Sequence, residues 1–85
     1  MGDFRLTISR SAIKEFEALP PDVIERVREK IRSLARDPRQ PGAKKLQGRR
    51  EYRVRVADYR ILYTIDDGEK VVDITTISHR SDVYR

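Results

Sequence analysis

The stretch from Tyr52 to Tyr63 limits what this chain can fold into more than any other. Tyr52-Arg53-Val54-Arg55-Val56 and Tyr59-Arg60-Ile61-Leu62-Tyr63 alternate with period two on either side of Ala57-Asp58, the pattern of two half-buried strands joined by a two-residue turn. Such a turn fixes the register: Val56 pairs with Tyr59, Arg55 with Arg60, Val54 with Ile61 and Arg53 with Leu62. Successive side chains point to opposite faces, so Tyr52, Val54, Val56, Tyr59, Ile61 and Tyr63 collect on one and Arg53, Arg55 and Arg60 on the other. The first face needs a cover. On the second, arginines opposite one another repel, and the nearby Asp73 can neutralise only one of them, so the arrangement costs stability unless an anion or a distant carboxylate occupies it. A local conflict of this kind points to function, here phosphate binding. The competing reading is a solvated sheet face covered by arginine stems whose heads reach water.

The rest of the chain supplies the cover. Phe4 to Ser9 alternates as a short strand, and then the period changes. Ala12, Ile13, Phe16 and Leu19 recur at helical spacing, with Ser9 or Ser11 available as the N-cap. Pro20-Pro21 stops that helix and starts a second, whose apolar stripe is Val23, Val27, Ile31 and Leu34. Asp37 to Gly42 ends the second helix and opens a long connection to about Glu51, which carries Lys44, Lys45, Arg49 and Arg50 but only Leu46 as an anchor. After the hairpin, Val71 to Ile77 forms another strand. An Asp67-Gly68 turn before it would place Val72 beside Tyr63, Ile74 beside Ile61 and Thr75 beside Arg60, with His79 further along the basic face. The expected architecture is α+β in the order β-α-α-β-β-β, a helical hairpin packed on one face of a mainly antiparallel four-stranded sheet, as one domain over residues 1–85.

Composition narrows the chemistry. In 85 residues, 19 Lys and Arg stand against 14 Asp and Glu, a net charge of +5 that favours a polyanionic partner. A chain this short buries only about 60–65% of its unfolded surface, so any site should be shallow. Cysteine is absent, which removes disulfides, thiolate metal sites and cysteine nucleophiles. A single histidine cannot build a zinc site, and there is no Gly-rich phosphate loop or Ser-His-Asp signature, so neither metal nor nucleotide cofactor is expected. Glu15, Glu17, Glu25 and Glu29 read as solvated partners of basic neighbours on helix surfaces. No long apolar run or secretory h-region occurs, so the expectation is a cytoplasmic protein without a membrane partner. The ending, Ser78-His79-Arg80-Ser81-Asp82-Val83-Tyr84-Arg85, adds an imidazole able to move protons near neutrality, further guanidiniums and a phenol able to stack on a base.

In its Ser11 to Pro20 segment, Lys45-Leu46 followed by Gly48, the Tyr52 to Tyr63 hairpin and the Ile77 to Tyr84 ending, the chain resembles the RelE/ParE superfamily of toxin-antitoxin toxins along nearly its whole length. Members of the RelE branch are ribosome-dependent endoribonucleases in which the mRNA's own 2′-hydroxyl attacks the adjacent phosphate, a route that needs no metal. The resemblance implies that Arg60 contacts the cleavage-site phosphate, Arg80 binds phosphate as a second arginine, and Tyr84 stacks on and orients the mRNA base. Arg53 and Arg55 fall where the best-known RelE branch has paired lysines implicated in activating the 2′-hydroxyl. Arginine does not readily lose its proton, so their implied part is transition-state electrostatics, with His79 a candidate for proton transfer. Lys44, Lys45, Arg49 and Arg50 are the candidate RNA contacts. Implied partners are a cognate antitoxin, with a toxin-antitoxin heterotetramer as one assembly, and a ribosome with bound mRNA. Two alternatives stand beside this reading: a ParE-like inhibitor of DNA gyrase, and a non-catalytic RNA- or antitoxin-binding module. Arg60 together with the His79-Arg80 and Val83-Tyr84 ending favours the RNA branch.

Overall fold

The computed structural model describes residues 3–79. Its elements run β1 (Arg5–Ile8), α1 (Arg10–Glu17), α2 (Pro21–Arg36), β2 (Lys44–Lys45), β3 (Tyr52–Val56), β4 (Tyr59–Asp66) and β5 (Val71–His79). The five strands make one mixed sheet in the order β1-β5-β4-β3-β2.

Both helices start and stop where local chemistry dictates. Ser9, not Ser11, caps α1: its Oγ accepts from the Ala12 N–H at 3.1 Å, satisfying one of the donors a helix start leaves open. Pro21 opens α2, where its missing N–H costs nothing, and Asp22 and Arg36 carry the charges that suit the two ends of the helix dipole. The stripe of Val23, Val27, Ile31 and Leu34 is buried as its spacing predicts. With Ala12 and Leu19 it packs onto Val54, Val56, Ile61, Tyr63, Val72, Ile74 and Ile77, so one face of the sheet carries the core, while the other carries the strand arginines and Leu62.

The β3–β4 register is the one that the two-residue turn requires, from Val56–Tyr59 through Arg55–Arg60 to Tyr52–Tyr63. The turn holds Ala57 at a φ of 53°, in the left-handed region that a side chain disfavours by about 1–2 kcal/mol. β1 lies at an edge, parallel to β5, with Arg5 opposite Val71 and Ile8 opposite Ile74.

Two expectations are corrected. The sheet has five strands rather than four, because Lys44 and Lys45 pair with Arg53 and Tyr52 at the second edge. A two-residue strand of lysines has no apolar alternation to reveal it. The second correction concerns the β4–β5 register. Asp66 pairs with Val71, so residues 67–70 form a four-residue loop in place of an Asp67-Gly68 turn. Asp66 Oδ1 accepts from the Glu69 N–H at 2.9 Å and Lys70 takes a φ of 58°, which delays the reversal. Val72 therefore lies beside Ile65, and Ile74 beside Tyr63. A bulge follows: Tyr63 faces Ile74 but Leu62 faces Thr76, leaving Thr75 as an extra residue. It inverts the face parity of everything after it. Ile74 and Ile77, three apart, thus both enter the core, at 0% and 2% exposure.

The long connection is tied down at its start. Tyr63 donates its hydroxyl proton to the Pro38 carbonyl at 2.7 Å and stacks on Tyr52 at 5.8 Å between ring centres. Arg39 lies over the Tyr52 ring and donates to both carboxylate oxygens of Asp67 at 2.9 and 3.1 Å. Burial pushes the Tyr63 phenol up to about 12, and the Arg39 hydrogen bonds hold the Asp67 carboxyl below its ordinary range. Among the described residues, no helix is long and apolar enough to cross a membrane.

Candidate nucleic-acid interface

The sheet's helix-free face carries the arginines. Arg55 stands directly opposite Arg60, and Arg60 is flanked on its other side by Ser78. One row along, Lys44, Arg53, Leu62 and Thr76 follow one another across β2, β3, β4 and β5. The three strand arginines differ in burial: Arg55 is exposed, Arg53 half-buried and Arg60 only 3% exposed. The face is therefore not uniformly wet as expected, since Leu62 beside Arg60 is also buried. β4, which carries both, is the middle strand of five. Burying a guanidinium is costly unless it is paired and hydrogen-bonded, which sets Arg60 apart from the exposed Arg55. A recess of about 50 Å³ lies against it, lined by Arg55, Ala57, Asp58, Tyr59 and Arg60.

Four arginines elsewhere have acidic partners. Arg28 and Arg32 pair with Glu25 and Glu29 along α2, Arg39 pairs with Asp67, and Arg49 pairs with Glu51 at 2.8 Å. Arg53, Arg55 and Lys44 form no salt bridge among the described residues. Asp73, expected to offset one arginine, is instead opposite Thr64 and accepts from the Thr7 hydroxyl at 2.6 Å, four positions along β4 from Arg60.

The expected RNA contacts divide. Lys44 joins Arg53 and lines with it a cleft of about 290 Å³ beside Lys30 and Gly42. Lys45 points the other way with Tyr52, where it meets Arg39 and Arg50 around a second cleft of about 580 Å³ that also contains Asp66 and Asp67. Arg49 is taken up by Glu51. His79 is not on the arginine face. It pairs with Tyr59 and meets that ring edge-on at 5.3 Å, because the Thr75 bulge shifted the alternation that would have placed it further along the arginine face. Arg80 and Tyr84 lie outside the described residues.

One residue with a structural part at this end of the sheet has no signal in the sequence. Glu15, read as a solvated surface carboxylate, accepts from the backbone N–H of Ile77 at 2.8 Å across 62 positions of chain. Only the fold brings the two together.

A paired arginine constellation of this kind can bind a phosphodiester and stabilise charge that develops on it. The sequence from residue 6 to residue 84 matches the family model described as the ParE toxin of type II toxin-antitoxin systems, parDE. The chain belongs to the RelE/ParE superfamily of type II toxins. It is 31% identical over 86 residues to the toxin RelG of Mycobacterium tuberculosis, an alignment that covers 96% of this chain and 97% of RelG. Among solved structures it superposes on the toxin-antitoxin complex RelBE2 of M. tuberculosis with a TM-score of 0.82 at 28% identity, covering 92% of this chain and 99% of the matched one. The isolated Escherichia coli RelE toxin matches with a TM-score of 0.80, also at 28% identity, over 95% of this chain and 90% of RelE. This RelE/ParE toxin thus shares its fold, at nearly full length, with toxins of both a complexed and a free state.

Proposed function

We propose that this toxin is a metal-independent endoribonuclease that cuts mRNA on the ribosome. The observation that carries the reading is the cross-strand pair of Arg55 and Arg60 on the helix-free face, with Arg60 buried and Arg53 one row away. In the proposed step the 2′-oxygen of the mRNA forms a bond to the adjacent phosphorus while the bond from phosphorus to the 5′-oxygen breaks. The 2′-hydroxyl proton leaves to a base and the departing 5′-oxygen takes up a proton, giving a 2′,3′-cyclic phosphate and a 5′-hydroxyl. Arg60 would ligate the phosphate, and Arg53 and Arg55 would stabilise the charge that builds on its oxygens in the transition state. Arg80 and Tyr84 retain the phosphate-binding and base-stacking parts that the family resemblance gives them. His79, on Tyr59's side of the sheet, is a poor candidate for the proton acceptor. A shallow face suffices because the ribosome closes the other side of the site.

An antitoxin is the second proposed partner, supported by the RelBE2 complex among the structural relatives. The proposed setting is the cytoplasm, where ribosomes and antitoxin meet. The match to a ParE family model favours one competing reading, inhibition of DNA gyrase.

The test adds purified protein to a translating extract and maps mRNA 5′ ends with and without ribosomes, beside a gyrase supercoiling assay. Cuts confined to ribosome-bound message are expected. Intact message with blocked supercoiling would transfer the assignment to gyrase. Arg60→Ala should lower cleavage by about 10²–10³-fold. Because Arg60 is buried, its thermal unfolding is measured in parallel, and Arg60→Lys, which keeps charge but loses the planar fork, should fall between the two. A folded Arg60→Ala protein that cleaves normally would remove Arg60 from the site.

A further inference from the structure

β5 outruns its neighbour. β1 pairs with it only as far as Ile8 opposite Ile74, yet β5 continues to His79 with β4 on one side and, among the described residues, no strand on the other. The backbone groups on that open side still need partners in a sheet packed against helices. The N-cap of α1 and a carboxylate near its other end supply them. The Ser9 N–H donates to the Ile74 carbonyl at 2.9 Å, the Ser9 hydroxyl donates to the Thr75 carbonyl at 3.0 Å, and Glu15 accepts from the Ile77 N–H at 2.8 Å. Ser9 and the Glu15 carboxylate of α1 thus stand in for the missing continuation of β1.

The location of this substitute ladder gives it a consequence. It begins at the Thr75 bulge, where the β4–β5 ladder is itself interrupted, and reaches Ile77, one residue before the Ser78–Arg60 pair. A carboxylate accepting from a backbone N–H makes a charge-assisted bond of roughly twice the strength of a neutral one. Ile77 is 2% exposed, so water is poorly placed to replace it. Glu15 thus grips β5 beyond the bulge from outside the sheet.

We infer that Glu15 is a positioning residue: by holding the Ile77 N–H it fixes the end of β5 beside Arg60, and so the geometry of the cleavage site. The inference rests on the cleavage reading above. It assigns Glu15 no contact with RNA. Reactions that depend on placement lose rate steeply when supporting groups shift by about 1 Å, without a matching loss of binding.

The test uses the full chain with Glu15→Ala and Glu15→Gln, the latter keeping a carbonyl acceptor of the same reach. Amide exchange at Ile77 and His79 is followed by NMR, and kcat and KM are measured on programmed ribosomes. For Glu15→Ala, exchange at Ile77 should accelerate by about tenfold or more, and kcat should fall by about tenfold or more while KM stays within about threefold. Glu15→Gln should restore both exchange and kcat to within about threefold of the parent. A Glu15→Ala protein that loses Ile77 protection yet cleaves at the parental rate overturns the inference. So does one whose Ile77 amide stays protected, or a Gln variant as impaired as the Ala variant. Should the parent protein leave message intact, the cleavage reading falls and takes the catalytic half of this inference with it. Exchange at Ile77 and His79 then still decides whether Glu15 holds the strand end.

Discussion

β4 shares two hairpins that are built in different ways. With β3 it reverses in two residues, at Ala57 and Asp58, and keeps one unbroken register from Val56–Tyr59 to Tyr52–Tyr63. With β5 it reverses over residues 67–70 and then takes up an extra residue at Thr75. The unbroken ladder sets like charges opposite each other and holds them there. In the bulged ladder the strand is re-aimed, so that Ile77 joins the core and His79 moves to Tyr59's side, away from Arg60. The first hairpin builds the charged site and the second decides what is kept out of it.

The comparison breaks most visibly at Ile77. Ile77→Ala should cost about 2–5 kcal/mol of stability in urea unfolding, because the bulge makes it a core residue. A loss under about 1 kcal/mol would mean that β5 runs without the bulge and Ile77 faces outward. Deleting Thr75 is the sharper variant. It leaves Ile74 and Ile77 on one face of a regular ladder, so the loss should be only the two hydrogen bonds of Thr75, about 1–2 kcal/mol.

Tyr63, which belongs to both hairpins, gives the next effect. Tyr63→Phe removes the hydroxyl that donates to the Pro38 carbonyl and should cost about 1–2 kcal/mol near neutral pH. The pH dependence carries the same information. The unfolded chain gives up this proton near 10 and the folded one near 12, so the protonated phenol's contribution is complete below pH 10 and is lost as pH rises through 12. Unfolding midpoints measured across that window should decline less steeply in the Phe variant, and identical slopes would mean that another group governs the alkaline limit.

The turns themselves give the smallest change. Ala57→Gly removes a side chain from a φ of 53° and should raise stability by about 0.5–1 kcal/mol. Lys70→Gly, at a φ of 58°, should gain less, because the Lys70 ammonium lies 4.8 Å from the centre of the Phe4 ring and that contact goes with it. A destabilised Ala57→Gly would show that the tight turn does not carry the strain its backbone angle indicates.

What the residues determine by themselves is local. The caps and prolines place both helices, the stripe from Val23 to Leu34 selects the face that α2 buries, and the two-residue spacing at Ala57-Asp58 pairs Arg55 with Arg60. Each of these is written within a few positions, where dihedral limits and periodicity act without knowledge of the rest of the chain. Packing decided the remainder. The Lys44–Lys45 strand exists because β3 offered a free edge, Arg60 is buried on the middle strand, and His79 changed sides because the bulge turned Ile77 into the core. The hold of Glu15 on Ile77 spans 62 positions and appears only once α1 lies against β5. An interaction between distant residues leaves no period in a single sequence, so the tertiary structure alone could set the surroundings of the arginines that local rules had already paired.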